Sequence, residues 1–176
     1  MKLPLIIAPH TTLSTSAVPI KTIDKRILKL IEDMKDTLKA CIDPVGVGLA
    51  APQVGYGVQL FIVKHPRSAP IEVFINPKVL VVSDKTAVDS DVLEGCLSVL
   101  NLWGHVERAT SIEMEFQKVD GSFTKQKFTG YKAHIIQHEL DHLRGVLFTQ
   151  RVIEQSSELF KVEIVKGKEK FVPVEV

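Results

Sequence analysis

His138-Glu139-Leu140-Asp141-His142 constrains the fold of this chain more than any other run. On a helix, positions four apart lie one turn apart on one face, where the imidazoles of His138 and His142 can share a metal ion. The glutamate between them is suited to take a proton from a water that the metal polarises. Two histidines leave a catalytic metal short of a third protein ligand. The best candidate is Cys96, in the run Glu94-Gly95-Cys96-Leu97-Ser98, so the fold must bring that segment against the helix. Gly95 permits close backbone approach around a thiolate. Metal-assisted hydrolysis is the chemistry to expect.

With 176 residues the chain has the length of one domain with a sizeable core, and a single catalytic domain spanning 1–176 is expected. The tail from about residue 161, with its mix of Lys166, Lys168, Glu169 and Lys170, reads as peripheral. A net charge of +1 argues against direct nucleic-acid recognition or an acidic membrane surface as the main partner. Cys41 and Cys96 are too few for a disulfide framework, and a bridge between them would occupy the expected ligand. A reducing compartment follows. The apolar start, Leu3 to Ala8, is short and broken by Pro4, so neither a signal peptide nor a membrane span is expected and the location is read as cytoplasmic.

Ile27, Ile31, Met34, Leu38 and Cys41 recur at helical spacing, which predicts an amphipathic helix from Ile23 to Cys41 capped by Thr22. Val58 to Lys64 and Ile71 to Ile75 predict strands. Ile112 to Phe116 alternates apolar and charged residues as a half-buried strand does, with Phe123 to Phe128 returning after the Asp120-Gly121 turn. Ala133 to Arg144 predicts the histidine-bearing helix, stopped near Gly145. Glu158 to Val165 fits a helix end or a strand, and Lys170 to Val174 is extended. Helices and strands without βαβ alternation predict an α+β fold.

Gly46-Val47-Gly48-Leu49-Ala50-Ala51-Pro52-Gln53 lacks the Lys-Ser/Thr pair of a phosphate loop. Its small residues suit the close approach of an extended peptide, and Gln53 offers a neutral donor for an oxyanion. A zinc metallopeptidase is the competing reading. The extended pattern with a third histidine fails, because Phe148 stands at the last position. A downstream glutamate, Glu163, remains open as the third ligand, although its charge-alternating surroundings suit a solvated face.

Together the three segments, Gly46 to Gln53, Glu94 to Ser98 and Gln137 to His142, resemble the peptide deformylase family in order and in spacing, over about Leu5 to Arg151. The resemblance implies mostly antiparallel strands around a central helix carrying the two histidines. It also implies hydrolysis of the N-formyl group from N-formylmethionyl nascent polypeptides, releasing formate. The implied metal ligands are Cys96, His138 and His142, and the catalytic groups are Glu139, the Gln53 side chain and the Leu97 backbone N–H. Substrate contacts fall on Val47, Gly48, Gly95 and Ile135. Glu94 and Arg108 match a pair beside the site, read here as support for Gln53. Asp141 is expected to cap or pair within its helix, and His134 to line the methionine pocket or face solvent.

The cofactor implied is one divalent ion, natively Fe2+, with Zn2+, Ni2+ or Co2+ able to take its place. The partners implied are formylated peptides and nascent chains, and the tail permits transient ribosome contact. The chain departs from the family after the cysteine motif, where Leu100 replaces the usual proline and leaves the substrate rim less stiff. That substitution is the sole support for a third reading, a catalytically silent homologue. Trp103, close by, either stacks on a peptide side chain or packs as core.

Overall fold

Leu60-Phe61-Ile62-Val63 reads as one apolar run because both faces of its strand are covered, and this strand locates the core. The structure, a computed structural model, describes residues 1–87, 92–165 and 168–174. In chain order its longer helices and its strands are α1 (Lys25–Ala40), β1 (Gly48–Ala50), β2 (Leu60–Val63), β3 (Glu72–Val82), β4 (Thr86–Ala87), β5 (Glu94–Cys96), β6 (Val99–Gly104), β7 (Arg108–Ala109), β8 (Ser111–Gln117), β9 (Phe123–Thr129), α2 (Gly130–Leu143), α3 (Phe148–Glu154), β10 (Leu159–Val165) and β11 (Lys168–Val174). Five strands form one antiparallel sheet in the order β1-β2-β3-β8-β9. Four more form a second, β11-β10-β6-β5, and β4 pairs with β7.

Successive side chains of β2 go to opposite faces. Phe61 and Val63 join Phe74, Phe116 and Phe128 beneath α2, against its Ile136, Leu140 and Leu143. Leu60 and Ile62 join Leu49 and Ile75 on the other face, against Leu30, Ile31, Met34 and Leu38 of α1. On β8 only one side is covered, so Ile112, Met114 and Phe116 are buried while the residues between them are half-exposed. A third cluster, Phe148 and Val152 of α3 with Cys96, Val106 and Leu159, ties the four-stranded sheet to α3. The fold is α+β with α2 central, as the resemblance implied. No helix among the described residues is long and apolar enough to cross a membrane.

Some boundaries differ from those expected. The N-cap of α1 is Asp24, whose carboxylate accepts from the N–H groups of Arg26 and Ile27 at 2.9 and 3.0 Å; Thr22 lies outside the helix. β3 continues well past Ile75, because its pairing with β8 shifts register between Ile75 and Lys78 and absorbs Asn76-Pro77 as an irregularity. α2 starts at Gly130, three residues before Ala133. Residues from Leu159 to Val165 form a strand, since β6 and β11 flank it on both sides. Lys166 of the tail lies outside the described residues.

Candidate metal centre

α2 is fully buried from His138 to Leu143, and this half of the helix carries His138 and His142 to Cys96. Cys96, His138 and His142 each bring a ligand atom within 4.8 Å of the other two. Cys96 Sγ, at the end of β5, lies 3.2 Å from His142 Nε2. The sulfur also accepts from the Ser98 N–H at 3.4 Å and from Gln53 Nε2 at 3.5 Å, which orients it. Burial first, then the charge of His138, depresses the His142 pKa well below its ordinary value and keeps that ring neutral, the form that binds metal.

His138 is held from behind. Its Nδ1 lies 2.5 Å from Glu94 Oε1, which leaves Nε2 for a metal. Burial alone would depress the His138 pKa, but the Glu94 charge and hydrogen bonds to Cys96 and Glu94 outweigh it and hold it well above the ordinary range. A divalent ion would compete with that proton. Arg108 grips Glu94 with Nη2 and Nε at 2.7 and 2.9 Å and gives Nη1 to Asp141 at 2.8 Å. Asp141 in turn accepts from Arg151 of α3 at 2.7 and 3.1 Å. Asp141 therefore pairs across elements and not within its helix. Among the described residues no hydrogen bond joins Glu94 or Arg108 to Gln53; the residue they support is His138.

Glu139 sits in front. It is buried, its Oε2 has no hydrogen-bond partner among the described residues, and burial pushes its pKa up to about 7. Gly48 makes room for it, because a Cβ there would overlap the Glu139 carboxylate and approach Ile135 Cγ2 to 3.0 Å. Gln53, on the short helical turn Ala51–Val54, accepts from the Ala50 N–H at 2.8 Å and donates to Ser98 Oγ at 3.3 Å. Leu97 forms part of the turn between β5 and β6. Val47, Gly48, Gln53, Gly95, Leu97, Ile135 and Glu139 line one cleft of about 470 Å³ with Cys96 and His138. His134 lines it as well, with Nε2 2.7 Å from Glu94 Oε2 at an angle that makes no hydrogen bond.

Trp103 lies flat on Gly95, where a Cβ would come within 2.7 Å of the indole. Glu163 is on β10, 3.6 Å from Lys161 and outside the metal cluster. Cys41 is half-buried at the end of α1, its Sγ 3.3 Å from the Thr37 carbonyl. The residue that sequence reasoning missed is Ser98, buried with both its N–H and its hydroxyl turned to the cluster. The only signal for it was its place two residues after Cys96.

A cysteine sulfur and two imidazoles beside a buried carboxylate suit a divalent transition metal. The polypeptide deformylase family model matches residues 2–158. Peptide deformylases from Finegoldia magna and Rhizobium meliloti are 37% and 38% identical to this chain, over 79% and 82% of it and 82% of each relative. A crystal structure of peptide deformylase from Thermotoga maritima superposes with a TM-score of 0.78 at 32% identity, covering 86% of this chain and 97% of that one. A Met-Ala-Ser-bound class I type b peptide deformylase from Acinetobacter baumannii gives 0.76 at 31% identity, covering 86% and 98%. Fold and site define a metal-dependent hydrolase acting on a linear amide. The chain belongs to the polypeptide deformylase family and removes the N-formyl group from nascent peptides.

Proposed function

We propose that Cys96, His138 and His142 hold the metal and that Glu139 moves the proton in N-formyl hydrolysis. The observation that carries this reading is the buried Glu139 Oε2, without a partner and with a pKa of about 7, beside a Cys-His-His cluster. When bound, the ion supplies Lewis acidity to the formyl oxygen and to water. Glu139 takes the proton of the attacking water on its free oxygen and returns it to the leaving amine nitrogen. A carboxylate poised near neutrality serves both transfers.

Gln53 Nε2 and the Leu97 N–H donate to the oxyanion that develops at the formyl carbon. Gln53 Nε2 lies 3.5 Å from Cys96 Sγ, and donating to the oxyanion takes one N–H from its present partners, Cys96 and Ser98. Val47, Gly48 and Gly95 offer backbone to the peptide, and Ile135 with Leu97 walls the methionine side chain. Glu94 fixes the His138 ring, and Arg108 fixes Glu94.

The native ion in this reading is Fe2+, with Zn2+, Ni2+ or Co2+ as substitutes. Thiolate ligation makes the iron form oxygen-sensitive through Cys96. The enzyme works as a single domain in the cytoplasm, on chains leaving the ribosome, with transient ribosome contact and no direct reading of nucleic acid.

The test is formate release from formyl-Met-Ala-Ser by protein purified without oxygen and loaded with Fe2+ or Ni2+. Acetyl-Met-Ala-Ser and free Met-Ala-Ser serve as controls. Formate from the formylated peptide alone is expected. Its absence from protein shown to carry metal would sink the reading.

A further inference from the structure

The family match ends at residue 158 and β10 begins at Leu159, so the β10–β11 hairpin lies outside the matched region. It nevertheless contributes to the cleft. Glu169 and Phe171 of β11 line the catalytic cleft together with Trp103. Phe171 meets Trp103 edge to face, with ring centroids 6.2 Å apart and planes at 87°. These three side chains also line a second groove of about 550 Å³ that opens off the first and runs past Asp43 to Leu100. Cys96 and Leu97 border both spaces, so a peptide whose formyl end is at the metal centre has this groove beside it.

The groove has a definite chemistry. Its charged lining residues are Asp43 and Glu169, both acidic; Arg67 borders the catalytic cleft but not the groove. Glu169 pairs across the hairpin with Ile164 and Phe171 with Val162, which sets these side chains on one face and leaves Lys168 and Lys170 to the other. Trp103, Phe171 and Leu100 supply apolar surface in the same groove as the two carboxylates. Methylenes lying on aromatic faces with a cationic head among carboxylates is how Lys and Arg side chains bind.

We propose that the hairpin builds a downstream subsite that favours substrates with lysine or arginine among the first residues after formyl-methionine. The proposal rests on the deformylase reading above. It makes Glu169 and Phe171 determinants of specificity.

The test compares kcat/KM of the metal-loaded enzyme for formyl-Met-Lys-Ser against formyl-Met-Glu-Ser, and for formyl-Met-Ala-Lys against formyl-Met-Ala-Glu, with formyl-Met-Ala-Ser as reference. The lysine peptide of at least one pair should lead by about fivefold, the scale of one solvent-accessible ion pair. Glu169→Lys should bring that ratio to about one or below, and Glu169→Gln to an intermediate value. Trp103 is the only tryptophan in the chain, so its fluorescence reads occupancy of the groove without turnover. Met-Lys-Ser or Met-Ala-Lys should titrate it at lower concentration than the glutamate counterpart. Equal rates and equal titrations in both pairs, with formate still released from formyl-Met-Ala-Ser, would overturn the subsite and leave the deformylase standing. No formate from any formylated peptide would remove the reading beneath it, and the subsite with it.

Discussion

Glu94 and Glu139 are the same residue type, buried to the same degree at 5% and 3% exposure, and both lie beside His138. Yet Glu94 is held well below the ordinary carboxylate range while Glu139 is pushed up to about 7. Burial acts upward on both, so the difference comes from their partners. Glu94 has His138 and a two-pronged Arg108, whereas Glu139 Oε2 has no partner. The paired carboxylate is a permanent anion that orients a ring. The partnerless one can change protonation state without breaking a network. Behind His138 the structure is built to stay fixed, and in front of it to react.

The largest effect is expected where the front is disarmed. Glu139→Ala should keep its metal and lose about 10²–10⁴-fold in kcat, the usual scale of a positioned acid–base group. Metal content and formate release, measured on one sample, check this; retained turnover would erase the contrast between the two glutamates. Breaking the back should act on stability instead. Arg108→Met leaves Glu94 and Asp141 buried without their shared cation, at a cost of about 3–5 kcal/mol in urea unfolding. Gln53→Ala comes next, at about 10²–10³-fold in kcat for one lost oxyanion donor, and at about 1–3 kcal/mol in stability for the buried Ala50 N–H left unpaired.

The front of the site was far more legible in the sequence than the back. His138, Glu139 and His142 announce themselves because helical periodicity turns a spacing of four into one face. Cys96 and Gln53 followed from their short motifs. The chain Glu94–Arg108–Asp141–Arg151 was not readable, since charge pairing between segments leaves no local trace. Only its first link, Glu94 with Arg108, is implied by the resemblance, and the residue that link orients is His138, not Gln53. β2 was legible because a strand covered on both faces is continuously apolar. β3 was truncated because Asn76-Pro77 reads as a break, and only pairing with β8 carries the strand through it. In sequence, residues 158–165 fit a helix end or a strand, because the strand character of β10 comes from β6 and β11 on either side of it.

The smallest effect, and the most discriminating, is expected from Glu94→Gln. Amide for carboxylate keeps the shape and removes the charge, so metal affinity should fall about 10–100-fold, as for other groups that orient a metal-binding histidine. Metal-free protein allows a sharper test. There the Glu94 pKa lies below its ordinary 4.5, so its charge contributes stability that is present above about 4.5 and lost as pH falls through the lower folded value. The His138 pKa lies above its ordinary 6.5, so its contribution is present below about 6.5 and lost as pH rises through the higher folded value. The pair is therefore worth most between about pH 4.5 and 6.5. Urea unfolding of metal-free Glu94→Gln, followed from below about pH 4.5 to above about pH 6.5, should show a flatter pH profile than the parent on both limbs. If the mutant kept the parent's profile, the anion behind His138 would be contributing shape alone, and the contrast with Glu139 would have to rest on solvent access.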